Sequence, residues 1–185
     1  MSFVFDSGKV TQEAAFLLGL TEGKRMPYLK LIKLLYIADR ESIRENGFPI
    51  SGDKMYAMKH GPVLSKVLDY SKGKEQPSEW IEHVKTEGYD LVLVDDPGID
   101  KLSRYDVNKL TETFNRYRNM NEWDIRDLSH TFSEYEKNKP NLLSFIQSHR
   151  IPLADIAEAV GRAGDIKEIE RNLAEDKYFA SLSRG

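Results

Sequence analysis

The sequence predicts an α+β fold, mostly helical, with a bundle of helices around a central helix at about 27–46. A small antiparallel β-hairpin or sheet is expected at about 54–58 and 81–94. Three observations carry this prediction. Apolar residues recur at helical spacing from Tyr28 to Ile43 over an unusually wide arc. Only the stretch from Trp80 to Val94 shows convincing strand alternation. Two further helical stripes between Leu102 and Tyr135 each begin with a capping signature.

In chain order, Val10, Ala14, Leu17 and Leu18 define a first helix over 9–20, and Thr21 to Lys24 is a polar turn. Pro27 suits a first helical position, where its missing N–H would have no partner. Lys30, Lys33, Arg40, Glu41 and Arg44 then fall on one narrow stripe, with Tyr28, Leu31, Ile32, Leu35, Ala38, Ser42 and Ile43 opposite. So wide an apolar arc predicts a helix packed against several neighbours. Gly47 is a C-cap, and Pro49 cannot continue the helix.

Two residues of this helix break its pattern. Asp39 sits within the apolar arc and Ile37 within the charged stripe. A buried carboxylate is costly unless hydrogen-bonded, so Asp39 is expected to accept from backbone N–H groups of the irregular segment after the helix. Ile37 is either covered by another segment or kept for a partner.

Lys54 to Met58 reads as a short strand, and Gly61-Pro62 as the start of a helix through about Ser71, with Val63, Leu64, Val67 and Leu68 inward. Ile81 to Thr86 and Tyr89 to Val94 are expected to pair across a Glu87-Gly88 turn. Ser103 with Asp106, and Leu102 with Val107, start a helix carrying Leu110, Phe114 and Tyr117 inward. Asn121 with Asp124 starts the next, whose Ile125, Leu128, Phe132 and Tyr135 make an antiparallel partner stripe. Beyond Pro140, short helices are expected at 142–147 and 152–160, then an amphipathic helix over 165–182.

At 185 residues with no cysteine, the chain reads as a single domain, 1–185, with no disulfide framework and no thiolate metal site. Its first residues are too short and polar a stretch for a signal peptide, and no apolar run approaches the ~20 residues of a membrane span. A net charge of −3 spread over both signs argues against strong non-specific nucleic-acid binding. His60, His83, His130 and His149 show no metal-ligand spacing, and no cofactor is implied. Residues 153–173 look superficially like a helix-turn-helix, but their acidic second half would repel phosphate.

One set of residues goes further. Tyr36-Ile37-Ala38-Asp39-Arg40 is followed by Gly47 and Pro49, by Ser51-Gly52-Asp53, and by Ala57-Met58-Lys59-His60-Gly61-Pro62-Val63. Leu128-Ser129-His130 completes the series. In order and spacing this resembles the Panacea domain family over about 28–135, leaving helices at 140–183 to pack on that part. Where the family often has Pro-Trp, this chain reads Phe132-Ser133-Glu134-Tyr135.

The resemblance implies a bacterial or phage cytoplasmic antitoxin, not an enzyme, that neutralises a cognate protein toxin by direct contact. It makes Asp39, Arg40, Gly52, Asp53, His60, Gly61, Pro62 and His130 motif residues, with both histidines expected as hydrogen-bonding residues near Asp39. Alternatives are a proteolytic adaptor with a protease as second partner, an enzyme centred on Asp39, His60 and His130, and a DNA-binding autorepressor. Assembly with further copies of the chain is left open. The surface expected to meet the toxin comprises Ile37, Tyr56, Lys59, Trp80 and Tyr89, with Trp80 and Tyr89 equally able to cover the core.

Overall fold

Nine consecutive residues of the central helix, Leu31 to Asp39, are buried, so over that length no face of it reaches solvent. The computed structural model in which this is seen describes residues 5–141 and 147–182. The elements in order are α1 (Ser7–Gly19), β1 (Arg25–Pro27), α2 (Tyr28–Asn46), β2 (Met55–Met58), β3 (Gly61–Leu64), α3 (Ser65–Ser71), α4 (Ser78–His83), β4 (Val84–Glu87) and β5 (Asp90–Leu93). They continue with α5 (Arg104–Tyr117), α6 (Glu122–His130), α7 (Ser133–Asn138), β6 (Ser148–Arg150), α8 (Leu153–Ala159) and α9 (Ile166–Leu182). The fold is α+β and mostly helical, as the sequence predicts.

The core is built on α2, which packs against α1, α5, α6, α8 and strand β3. This explains why the charged stripe was misleading. Lys33 and Ile37 both belong to that stripe, yet they are 0% and 1% exposed. Ile37 therefore offers nothing to a partner. Gly47 ends α2 in the left-handed region at φ +87, as a C-cap glycine should.

The strands form two antiparallel three-stranded sheets, ordered β1-β5-β4 and β3-β2-β6. β1 and β6, three residues each, carry no alternation long enough to read from sequence. The segment after His60 is a strand where a helix was expected. Met55 to Met58 pairs with Gly61 to Leu64 across the two-residue Lys59-His60 loop, and this long-range pairing overrides the local helix signal. Pro62, which has no N–H to donate, sits on an edge strand accordingly.

The second hairpin is shifted by one residue from expectation. Glu87 pairs with Asp90, so the loop is Gly88-Tyr89, with Gly88 at φ +63 in the first loop position. That shift lifts Tyr89 to the tip, 80% exposed. Upstream, Ser78 to His83 is helical and not a strand; Trp80 is the one buried residue of α4 and packs on Tyr70 at 5.4 Å. Being 0% exposed, Trp80 leaves the expected contact surface for the core.

The capping boxes at Ser103/Asp106 and Asn121/Asp124 are both present. The expected continuous stripe from Ile125 to Tyr135 is broken, because α6 stops at His130 and α7 restarts at Ser133. The helix expected at 142–147 lies, except for Gln147, outside the described residues.

Candidate functional site

The motif residues meet along α2, whose buried polar side chains occur about one turn apart and each hold a different segment. The first is Lys33. Its amine donates to the Pro62 carbonyl at 2.7 Å. Gly61 makes room for it, since a Cβ there would lie 2.7 Å from both Lys33 Nζ and Ser129 Oγ. His130 lies beside them and stacks on Tyr135 at 4.8 Å, while the Tyr135 hydroxyl donates to the Met58 carbonyl at 3.0 Å. Burial, aided by Arg126, pushes the Lys33 amine down to about 7.

One turn on, Tyr36 and Arg40 converge on Glu134. The Tyr36 hydroxyl donates to Glu134 Oε1 at 3.1 Å and Arg40 Nε to the same oxygen at 2.7 Å. Phe132 is covered by the Arg40 guanidinium at 4.3 Å and stacks on Tyr36 at 6.3 Å. The Phe132-Ser133-Glu134-Tyr135 run, which departs from the usual family residues, is thus an anchor for α7 onto the core.

Asp39 makes the third contact. It accepts from the N–H groups of Ile50 at 2.7 Å and Ser51 at 2.9 Å, and from the Ser51 hydroxyl. Ser51 Oγ in turn accepts from the Asp53 N–H at 3.1 Å. Gly52, at φ +67, permits the turn between them. Asp53 then accepts from Lys66 N at 2.8 Å and Val67 N at 3.2 Å, capping α3 from across the chain where the local N-cap, Leu64, has no side-chain oxygen. Burial pushes both carboxyls up to about 6 against these hydrogen bonds. Glu13 lies close to this cluster with neither oxygen hydrogen-bonded, and burial followed by the Asp39 charge pushes its carboxyl well up.

These contacts correct one expectation. His60 and His130 group with Lys33, whereas Asp39 spends its hydrogen bonds on Ile50 and Ser51. The three residues do not form a common centre with the geometry of an acid–base pair. Among the described residues, no cluster of three or more His, Asp or Glu could hold a metal ion. No helix among them is long and apolar enough to cross a membrane.

A concave surface does exist beside the Lys33 cluster. A cleft of about 500 Å³ opens between the start of α2, the β2–β3 hairpin, α3 and α6. Leu29, Ile32, Val63 and Leu68 wall it, and Tyr28, Tyr89 and Trp123 stand at its edges. Tyr28 stacks against Tyr89 at 6.3 Å and donates its backbone N–H to the Tyr89 carbonyl at 2.8 Å, which fixes the hairpin tip to the helix. Past Tyr28, Lys72 and Tyr89 the surface continues into a second depression lined by Ile81 and Val94. Tyr89, Val94, Ile81 and Trp123 are 80%, 61%, 59% and 52% exposed. Burial, together with Lys59, Arg126, Lys33 and Lys72, holds the His60 ring below its ordinary value.

Of the five expected contact residues, Lys59 and Tyr89 lie on this cleft. Tyr56 lines a separate depression with Asp53 and Arg150, and Ile37 and Trp80 are buried. Sequence reasoning missed Trp123, Lys33, Glu13 and Glu134. Trp123 had a signal, being a large aromatic in the first turn after a capping Asn121 and off the stripe that starts at Ile125.

The profile of the family described as "Antitoxin SocA-like, Panacea domain" matches residues 31–135, more than half of the chain. The chain matches no curated protein and no solved structure. The matched stretch begins in α2, ends in α7 and contains the Lys33, Tyr36/Arg40 and Asp39 contacts described above. The chain belongs to the SocA-like antitoxin family with a Panacea domain.

Proposed function

We propose that this protein neutralises a cognate toxin by binding it directly, on a surface already formed before the toxin arrives. The observation that carries the reading is the cleft beside the Lys33 cluster, where Tyr89 and Trp123 protrude from an apolar concavity. Exposed aromatic residues on a polar rim are the usual anchors of a protein contact. The three buried polar contacts of α2 favour a rigid surface, since they fix both hairpin-side segments and α7 to one helix. A pre-formed surface avoids the ordering cost that a disordered tail meets on binding.

Lys59 and Tyr89 belong to the proposed contact, joined by Tyr28 and Trp123; Tyr56, in the separate depression, lies outside it. No catalytic step is invoked, and the toxin is held inactive by occlusion.

Expression of the neighbouring reading frame, with and without this chain, tests the function. Growth arrest relieved by the chain, with both proteins recovered through a tag on one, is the expected outcome. Relief without a recoverable complex, lost in cells lacking a cytosolic protease, would replace occlusion by delivery to that protease. A harmless neighbour would overturn the assignment.

A further inference from the structure

The cleft has a sign. Lys59, His60 and Lys72 line it, against the single carboxylate of Glu122. Glu122 already faces the Lys30 ammonium, and Arg126 is paired with Asp127 at 2.6 Å. Lys59 and Lys72 are exposed and have no carboxylate ion pair among the described residues; Lys24, Lys54, Lys74 and Lys167 share that state, but of these six it is Lys59 and Lys72 that line the cleft. On a chain of net charge −3, two free ammonium groups flanking an apolar concavity are a local reversal of the overall balance.

We infer that the cleft receives an acidic, amphipathic segment of the toxin, with its apolar side chains between Tyr89 and Trp123 and its carboxylates against Lys59 and Lys72. This rests on the reading of the chain as a direct-binding antitoxin and adds the chemistry of what it binds. A cleft of about 500 Å³ takes a few large side chains from one face of a helix. The second depression past Tyr89 gives the segment a path to continue, with Lys72 common to both. Nucleic acid fits less well. The walls, Leu29, Ile32, Val63 and Leu68, have no side-chain groups to hydrogen-bond bases, and two lysines make too short a track for a phosphate backbone. Unmatched cations at a rim chiefly raise the association rate with an acidic partner and exclude basic ones.

The test is the affinity of the purified chain for the purified toxin at about 50 and about 500 mM salt. Three variants are compared with the unaltered chain: K59E/K72E, the control reversal K54E/K167E at exposed lysines outside the cleft, and Y89A/W123A. K59E/K72E should weaken binding about tenfold or more at low salt, with the gap narrowing at high salt. Y89A/W123A should weaken binding at both salts, and the control reversal should stay within about threefold of the unaltered chain. Equal losses in both reversals, or none in K59E/K72E, would overturn the inference and leave direct binding standing. No binding by the unaltered chain would remove direct binding itself, and this inference with it. Salt-sensitive binding of a labelled single-stranded oligonucleotide, abolished in K59E/K72E while toxin affinity is unchanged, would assign the cleft to nucleic acid instead.

Discussion

Lys33 lies inside the molecule with its amine 2.7 Å from the Pro62 carbonyl, so a lysine of the central helix holds the strand that follows the hairpin tip. The arrangement ties α2, β3 and the Ser129-His130 end of α6 at one point. It also gives stability a pH dependence. The folded amine titrates at about 7, below its ordinary 10.5. Between those values the unfolded chain binds more protons, so this group makes stability rise with pH from about 7 towards 10.5. Denaturant unfolding of K33M against the unaltered chain should show a flatter slope over that window, by on the order of a few kcal/mol. Equal slopes would mean that the amine is solvated in the folded state.

Asp39 is proposed to be a structural carboxylate. D39A leaves the Ile50 and Ser51 N–H groups without an acceptor, at a cost of about 1–3 kcal/mol. Thermal unfolding checks this. An unchanged melting temperature together with lost neutralisation would point to a functional carboxylate instead.

Glu13 is the opposite case, a buried carboxylate with no hydrogen bond. Its folded pKa is raised, so its contribution is present below the unfolded value of 4.5 and lost as pH rises through the folded one. E13Q removes that loss and is expected to be more stable than the unaltered chain at pH about 8, by about 1 kcal/mol or more. Lower stability of E13Q at that pH would show that the Lys9 ammonium, 4.0 Å from Glu13 Oε1, outweighs the cost of burying the carboxylate.

Gly61 and Gly88 both have positive φ, at +90 and +63, but only Gly61 is crowded. A Cβ at Gly61 would meet Lys33 Nζ and Ser129 Oγ at 2.7 Å, whereas nothing lies within 4 Å of one at Gly88. G88A should cost about 1–2 kcal/mol from backbone strain alone, and G61A at least twice that because the buried lysine must also move. Comparable losses in the two variants would place the Lys33 amine elsewhere.

Legibility from the sequence follows how local each signal is. The capping boxes at Ser103 and Asn121 and the C-cap at Gly47 are decided within a few residues, and all three were read correctly. Asp39 was legible because a carboxylate in an apolar arc must find donors, and the nearest irregular segment supplies them. β3, by contrast, is a strand only because Met55 to Met58 lies beside it, which no window around Gly61 records. Lys33 and Ile37 share one cause. A helical wheel assumes an outer face, and α2 has none between Leu31 and Asp39. Trp80 covers the core, one of the two places open to it, but its segment reads as strand because a six-residue helix presents too short a stripe to distinguish from one.

If the toxin is held on the pre-formed cleft, amide hydrogen exchange of the folded protein with and without saturating toxin should show it. New protection is expected at 57–63, 86–92 and 121–126, with the interior of α2 already protected in the free protein and unchanged. Protection confined to 166–182, or a gain of protection spread through α2 that reports folding on binding, would rule the cleft out.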